Sequence, residues 1–458
     1  MIEWSNYVVA IECASTIVDL NKPYDLTNIE LSSGTGFFIE SNLILTCYHV
    51  IKNAVKIEII FKQETRIIAE IHKIFPNDDL AVLIIKESLP YIKLDYELKL
   101  PSVGTTVSSI GFPLGNQSII QTKGIISGYR KSLIQIDAAL NSGNSGGPLV
   151  MNSIIDKEIK WFIIGVNTAK LTGNTTENTG FSIPIIRFIK LYEKSKELLG
   201  LRPSFDFNYQ IITQLELSKQ YRFSASTVSN SSNKFTKLKP IRNLYIKPTL
   251  GVRITELNKN SYLRNYFDVN DIILCINDKL IRNGFVSIPD FSEKISLNQL
   301  NLWFNQGDIL KMKILRKNKY TKLFTVDDVK VVLEYQKMDF RYYFYPLLTE
   351  DKYFLEKNNL ILSIFTKEHY LNLSDLQLNL NQIINLINTI NHCKDAFTIY
   401  LSGVNPNIYT TNTFSKYPIG DIIIEINNIP IKSYDDFMKL DKIISIKTIN
   451  NELYYIEN

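Results

Sequence analysis

The sequence predicts a mainly β chain: a pair of β-barrels followed by two smaller α+β units. Three observations carry that prediction. Across residues 1–184, short apolar runs are broken by Gly, Asn and Pro, the rhythm of strands joined by tight turns. Residues 185–199 switch to helical periodicity, with Pro184 at the start and Gly200 at the stop, and this helix is expected to close the first domain. The turn-and-strand run Asn270-Asp271-Ile272-Ile273 then has a counterpart in Gly420-Asp421-Ile422-Ile423, so the remainder shows the same punctuation twice. The length of 458 residues fits about three domains of roughly 150 residues, placed at 1–200, 201–335 and 336–458.

Each element follows from local pattern. Tyr7 to Cys13 reads as an opening strand, and Trp4 and Tyr7 beside it suit either core packing or an aromatic subunit contact. Leu43-Ile44-Leu45 and Leu80-Ala81-Val82-Leu83-Ile84 are short apolar strands. In the second unit Phe205 to Leu217 is its first strand and turn, and Leu250 to Leu257 is a strand opened by Gly251. Ser224 to Asn233 is polar and low in complexity, the composition of a loop. In the third unit Phe397 to Val404 and Gly420 to Ile431 form strand and hairpin, and Ser433 begins a helix. Phe340 to Pro346 is an aromatic insertion.

Composition narrows the class. Apolar residues make up 45% of the chain and charged residues 21%, enough for true cores. The net charge is only +5 and no long Lys/Arg block occurs, so nucleic acid is not an expected partner. No apolar run approaches the ~18 residues that cross a bilayer, and the first residues lack a basic region followed by an apolar one. Cys13, Cys47, Cys275 and Cys393 are scattered in apolar surroundings without zinc-ligand spacing, as buried reduced thiols would be. These features predict the cytoplasm or another reducing intracellular compartment. The Asn, Ile, Lys and Tyr richness of an AT-rich genome adds a virion or virus factory as a variant of that prediction. No metal or cofactor is expected.

The chemistry centres on Asn141-Ser142-Gly143-Asn144-Ser145-Gly146-Gly147-Pro148. A serine on a glycine-rich loop can be presented on a sharp turn, with backbone N–H groups close to a reacting carbonyl. Its hydroxyl holds its proton at neutral pH, so it needs a base and the base needs an orienting acid. His49, in Thr46-Cys47-Tyr48-His49-Val50, is the candidate base. Asp78 and Asp79 are the candidate acids, and the residues alone leave a one-position ambiguity. On a strand the two would face opposite ways, so only one could meet His49. His72 has no partner motif and reads as structural.

The order His, Asp, Ser, together with Gly34-Thr35-Gly36-Phe37-Phe38-Ile39 and Gly165-Val166-Asn167-Thr168-Ala169, resembles the Deg/HtrA family of trypsin-fold serine proteases over about residues 30–190. The resemblance implies a chymotrypsin-like double β-barrel. It selects Asp79, which immediately precedes Leu80-Ala81, and leaves Asp78 solvated. It implies an oxyanion hole at Gly143, Asn144 and Ser145, formed by the N–H groups of the outer two, and a loop at 138–144 that can rest with its peptide misoriented. Asn144 offers no carboxylate to a freshly cut N-terminus, so activation by N-terminal cleavage is not expected. Ala139 stands where trypsin places the acidic floor of its pocket, which predicts a small or medium apolar P1 residue. Asn167, Thr168 and Ala169 resemble the strand that pairs with substrate and lines the pocket. The segment Gly128 to Leu133 is shorter than the family's sensor loop, with Arg130 as a candidate contact or a surface charge.

The two later units resemble PDZ domains, in the layout of the plant-type branch. Asn270 stands where the family has glycine, and Asn tolerates the positive φ needed there. Thr249, Leu250, Gly251 and Val252 are the candidate peptide-binding loop of the first, by strand addition. The second lacks a clear glycine loop and suits assembly. The resemblance implies an ATP-independent endopeptidase acting on unfolded or damaged proteins, assembled as trimers or their multiples. The alternatives are a non-catalytic chaperone or peptide-binding scaffold, and a dedicated processing protease.

Overall fold

A computed structural model gives the fold. It describes residues 3–16, 29–62, 65–91, 93–113, 118–170, 179–195, 200, 202–203, 205, 207–213, 216, 249–257, 261–288, 294–317, 324–334, 354–364, 379–384, 399–404 and 417–456. The loop expected at 224–233, the aromatic insertion at 340–346 and Cys393 lie outside them. The chain divides into two compact units. One is Met1–Ile11 with Ser33–Val50 and Glu58–Gln336. The other is Glu12–Ser32 with Ile51–Ile57 and Lys337–Asn458. The expected boundary at residue 200 falls inside the first.

The fold is mainly β. Strands β1 (Val8–Thr16), β2 (Ile29–Glu40), β3 (Leu43–Cys47), β4 (Ala54–Phe61), β5 (Thr65–Phe75) and β6 (Leu80–Ile85) close a barrel in the order β1-β2-β3-β6-β5-β4. The apolar run of β3 pairs antiparallel with that of β6, Leu43 opposite Ile84 through Cys47 opposite Leu80, and every β3 residue is buried. That register matters because a one-residue slip would reverse which side chains face inward. Helix α1 (Tyr48–Ile51) leaves the end of β3 directly. Trp4 is buried edge-to-face on Trp161, so core packing is the role the structure gives it.

The second barrel uses β7 (Asp95–Tyr96), β8 (Thr106–Gly111), β9 (Ile120–Arg130), β10 (Leu133–Ile136), β11 (Pro148–Ile155), β12 (Glu158–Lys170) and β13 (Gly180–Pro184). The sheet order is β11-β8-β9-β10-β13-β12-β7, and a further β11–β12 pairing closes six of these strands into a ring. Lys131 and Ser132 both adopt positive φ, making a two-residue β9–β10 hairpin turn. Helix α2 (Ile185–Lys194) follows, shorter than the predicted 185–199, because Ser195 turns to extended backbone. Its buried face includes Ile185, Phe188 and Leu191, with the charge of Arg187 among them.

In the second unit of the sequence, β14 (Phe207–Thr213), β15 (Thr249–Leu257), β16 (Ile272–Ile276), β20 (Ile309–Lys317) and β21 (Phe324–Val332) lie in that order, with β17 (Lys279–Leu280) on β16. Strands β18 (Phe285–Ser287) and β19 (Lys294–Ser296) pair separately, and a 3-10 helix, Leu297–Trp303, follows. Its core, including Val252, Ile273 and Trp303, is continuous with that of the second barrel, including Ile126 and Leu149.

The last unit repeats this plan. Strands β22 (Phe354–Lys357), β23 (Leu360–Ile364), β24 (Ile399–Val404), β25 (Ile422–Ile426), β27 (Ser445–Thr448) and β28 (Leu453–Tyr455) are ordered in sequence, and β26 (Ile429–Pro430) pairs with β25. Helix α3 (Tyr434–Met438) is capped by Ser433, whose hydroxyl accepts from the Asp436 N–H. The repeated turns match bond for bond. Asn270 N–H donates to Ile254 and Ile254 N–H to Asp271; Gly420 N–H donates to Leu401 and Leu401 N–H to Asp421. Asn270 has φ 77° and Gly420 φ 90°, so asparagine does sit at the left-handed position where the other copy has glycine.

Candidate active site

The candidate base, His49, arrives from β3. The chain leaves the barrel at Cys47 and makes the single turn of α1, whose second residue is His49. The candidate acid, Asp79, arrives from the loop before β6. Pro76 starts a 3-10 turn, Pro76–Asp78, and Asp79 ends it in the left-handed region, φ 55° and ψ 40°. Aspartate enters that region more readily than most residues. The two loops are laced together: Tyr48 N–H donates to the Asp79 carbonyl at 3.1 Å, and His49 N–H donates to Asp79 Oδ1 at 2.9 Å. The His49 Nδ1 atom then lies 2.8 Å from Asp79 Oδ2 and 3.0 Å from Oδ1. A carboxylate at Nδ1 favours the tautomer with the proton there, which leaves Nε2 free to accept one.

Asp78 does not face solvent. It is 2% exposed and engaged by two guanidinium groups, so the expected solvated role is corrected. The strand-alternation argument fails because the aspartate pair lies in a 3-10 turn, not on a strand. Burial alone pushes the Asp78 carboxyl up; Arg187 and Arg202 overcome this and hold it below its usual range.

Ser145 follows the second barrel's β10 and precedes β11. Its loop is fixed by the first barrel, through Thr35 N–H donating to the Ser145 carbonyl at 2.8 Å and Thr35 Oγ1 donating to the Gly143 carbonyl at 2.7 Å. Gly143 has φ 94° and Gly146 φ 86°, so the turn uses glycine on both sides of the Asn144-Ser145 pair. The Asn144 N–H is spent on the Asn141 carbonyl at 3.0 Å. Asn144 therefore shapes the expected oxyanion loop and does not donate its backbone N–H to it; Gly143 and Ser145 remain the candidate donors. The Ser145 hydroxyl donates to the Thr168 carbonyl at 3.1 Å.

Thr168 is a further member of the group. Its hydroxyl donates to Asp79 Oδ2 at 2.5 Å while its carbonyl accepts from Ser145, so one residue touches both the candidate acid and the candidate nucleophile. The sequence placed Thr168 in the pocket lining, and nothing in the motif identified its hydroxyl as a partner of the acid. Asn167 is fully buried, contrary to a lining role: its amide donates to Ser109 Oγ and the Pro148 carbonyl and accepts from Ser182 Oγ. It ties β12 to its neighbours beneath the site. Ala139 is exposed, and its carbonyl accepts from Thr122 Oγ1 at 2.9 Å. Ala169 continues β12 opposite Phe181. Arg130 is exposed at the end of β9, the surface alternative of its two readings. His72 is half-buried in β5, and its imidazole is pushed down by burial and by neighbouring Lys73.

Cys47, His49 and Asp79 are the one group of three potential metal donors among the described residues. The chemistry of the set argues against a metal. The Cys47 thiol is pushed far up, first by burial and then by the Asp79 charge, and it donates to the Asn167 carbonyl. The thiol proton is committed to that carbonyl, whereas a metal ligand must be a thiolate. Cys13 and Cys275 are also buried and unbridged.

The candidate peptide loop of the second unit meets a different environment from the one expected. Thr249 to Val252 open β15, and Val252 is paired on both sides, with Ile211 of β14 and Ile273 of β16. Gly251 N–H donates to the Ile281 carbonyl. A peptide strand finds no open edge at Val252, because the chain's own strands occupy both.

The double barrel with a histidine, a carboxylate and a serine at one face defines the trypsin-like class, and a trypsin-like peptidase domain model matches residues 34–153. The chain is 28% identical over 332 residues to Do-like protease 13 of Arabidopsis thaliana, covering 69% of this chain and 61% of that protein. It is 29% identical over 338 residues to a DegP-like protein of Rickettsia prowazekii (strain Madrid E), covering 68% and 58%. A structure of the HtrA-type protease AlgWS227A with decapeptide shares the fold at a TM-score of 0.50 and 19% identity, covering 72% of this chain and 96% of that one. The chain is therefore similar to Do-like, DegP-like and HtrA-type proteases, with a trypsin-like peptidase domain matched over residues 34–153. It spans between half and two thirds of the length of Do-like proteases 13 and 3 of Arabidopsis thaliana and of the Rickettsia prowazekii protein.

The relatives also correct the expected compartment. Their names place them in the periplasm, in Rickettsia and Chlamydia, and in the mitochondrion and chloroplast, in Arabidopsis. A cytoplasmic or other reducing intracellular site does not stand against that. The composition argument failed because buried, widely spaced cysteines are compatible with any compartment. No helix among the described residues is long and apolar enough to cross a membrane.

Proposed function

We propose that this chain is an ATP-independent serine endopeptidase that hydrolyses peptide bonds through an acyl-enzyme on Ser145. The observation that carries the reading is the His49–Asp79 pair at 2.8 Å, laced to a glycine-framed serine by Thr168. In this mechanism neutral His49 takes the Ser145 proton as the hydroxyl attacks, and Asp79 stabilises the imidazolium. The N–H groups of Gly143 and Ser145 receive the oxyanion, and His49 returns the proton to the leaving amine. Ala139 favours small or medium apolar P1 side chains. Substrates are unfolded or extended peptides, as suits an enzyme that pairs with substrate backbone. The domains run 1–200, 201–335 and 336–458, and the enzyme assembles as a homo-oligomer, a trimer or a multiple of one.

One observation favours a second reading. With its hydroxyl on the Thr168 carbonyl, Ser145 is held away from transferring its proton to His49, as a resting enzyme or a peptide-binding scaffold would hold it. Digestion of an unfolded protein such as casein by the wild type, but not by Ser145→Ala, supports the endopeptidase. Equal digestion by both proteins overturns it.

A further inference from the structure

Asp78 adjoins the acid that orients His49, yet its own carboxylate faces away into the protein. Arg187 of α2 donates to Asp78 Oδ1 through Nε at 3.0 Å and Nη2 at 2.6 Å. Arg202 donates through Nε to Oδ2 at 2.7 Å and through Nη2 to Oδ1 at 3.0 Å. Asp78 is 2% exposed and each arginine 3%. Two guanidiniums on one carboxylate leave an excess positive charge in the interior, which must be met by oriented dipoles.

Those dipoles come from three different places. The Ser132 carbonyl, at the β9–β10 turn, accepts from Arg187 Nη1 at 3.2 Å. The Arg187 carbonyl accepts from Arg202 Nη2 at 3.2 Å. The Phe304 carbonyl and Asn305 Oδ1, beyond the 3-10 helix of the second unit, accept from Arg202 Nη1 at 3.2 and 3.1 Å. The same segment is pinned back: Trp303 Nε1 donates to Ser132 Oγ at 3.0 Å and Asn305 Nδ2 to the Lys190 carbonyl at 3.1 Å. Residues 78, 132, 187, 202 and 303–305 thus close one buried polar network within the first compact unit.

We propose that Asp78, Arg187 and Arg202 form a positioning cluster that holds Asp79 in its left-handed turn, and that the cluster keeps its geometry only while Trp303–Asn305 stay seated on it. The proposal rests on the reading of His49 and Asp79 as base and orienting acid. The reasoning is geometric. A non-glycine residue at φ 55° carries a backbone cost that its surroundings must meet. The residue on its N-terminal side is fixed by four charge-assisted hydrogen bonds, which are short and directional. Releasing Arg202 loosens Asp78, and with it the turn that aims the Asp79 carboxylate at Nδ1.

The test uses the full chain with Arg202→Gln, Arg202→Lys and Asn305→Ala, each checked for folding by circular dichroism. Steady-state hydrolysis of a casein-derived peptide is followed across pH. Arg202→Gln is expected to lower kcat by about 10- to 100-fold, as small misplacements of catalytic groups do, with KM changing less than about threefold. The acid limb of kcat/KM is expected to move to lower pH, because a misaimed carboxylate stabilises the imidazolium less. Removing a cation that acted only through space would move it to higher pH, since the positive charge disfavours a protonated His49. The sign therefore separates positioning from field. Arg202→Lys is expected to recover part of kcat. Asn305→Ala, which touches neither Asp78 nor the triad, is expected to shift kcat and the limb in the same direction by less, and it carries the test if Arg202→Gln does not fold. Wild-type kcat and pH profile in folded Arg202→Gln, or a limb moved upward, would overturn the cluster's role. Wild-type behaviour of Asn305→Ala would overturn the dependence on Trp303–Asn305. A fluorophosphonate probe on the wild type is the separate control. Failure to label Ser145 would overturn the triad reading and this proposal together, whereas labelling with an unaffected Arg202→Gln overturns this proposal alone.

Discussion

Thr168→Val is the sharpest perturbation of the acid that leaves the acid itself in place. It removes the hydroxyl that donates to Asp79 Oδ2 at 2.5 Å and keeps the backbone carbonyl that accepts from Ser145. A hydrogen bond to a charged group contributes about 1.5–3 kcal/mol where water is excluded. The Asp79 side chain is 33% exposed, so water replaces part of the lost bond and the loss falls just below that range. A loss of about 1–1.4 kcal/mol in transition-state stabilisation corresponds to roughly a five- to tenfold fall in kcat. KM should hold, because the hydroxyl is turned to the acid and away from substrate. Thr168→Ser keeps the donor and should retain kcat within about twofold. The assay is steady-state peptide hydrolysis of the three proteins, with thermal unfolding alongside. If Thr168→Val keeps the wild-type kcat, the hydroxyl does not orient the acid and the reasoning is refuted. An equal loss in Thr168→Ser would refute it too, by tracing the effect to packing.

Two further outcomes follow from the same geometry. In Gly146→Ala, the added Cβ would lie 2.1 Å from the Thr35 carbonyl oxygen and 2.2 Å from Thr46 Oγ1, at a backbone φ of 86°. Left-handed strain of roughly 1–2 kcal/mol and overpacking of about 1–3 kcal/mol together predict a loss of about 2–5 kcal/mol, read as a lower urea midpoint; an unchanged midpoint would contradict the packing described. Asp78 has a folded pKa below its ordinary 3.8, so its stabilisation is complete above about pH 4 and is lost as pH falls through the depressed folded value. Asp78→Asn should therefore be less stable than wild type at pH 7, with the gap narrowing below about pH 4; a gap independent of pH would exclude this linkage.

Much of the site was legible because chemistry constrains the residue types and their order. A glycine-framed serine has few uses, and the apolar strands leading from His49 and following Asp79 fix where those residues emerge. The choice between Asp78 and Asp79 was not legible from strand alternation, because Pro76 starts a 3-10 turn and the two carboxylates separate through a left-handed residue. The family motif chose Asp79, which is the carboxylate the structure places on His49. Asp78's partners lie 109 and 124 residues away, and such a pairing leaves no local pattern. The same blindness assigned Asn167 to a pocket wall, although its amide is consumed inside the barrel, and left Thr168's hydroxyl unnoticed. The repeat of turn and strand in the last two units was visible since Asn270 and Gly420 meet the same positive-φ demand. The occupied edges of β15 were not, because pairing partners are set by tertiary structure.

The central claim is that Ser145 is activated by His49. The most direct measurement treats the wild type with a fluorophosphonate and locates the adduct by mass spectrometry, beside Ser145→Ala and His49→Ala. A single adduct on Ser145 in the wild type, absent from Ser145→Ala and strongly slowed in His49→Ala, is the predicted result. An unlabelled wild type, or labelling indifferent to His49, would contradict it.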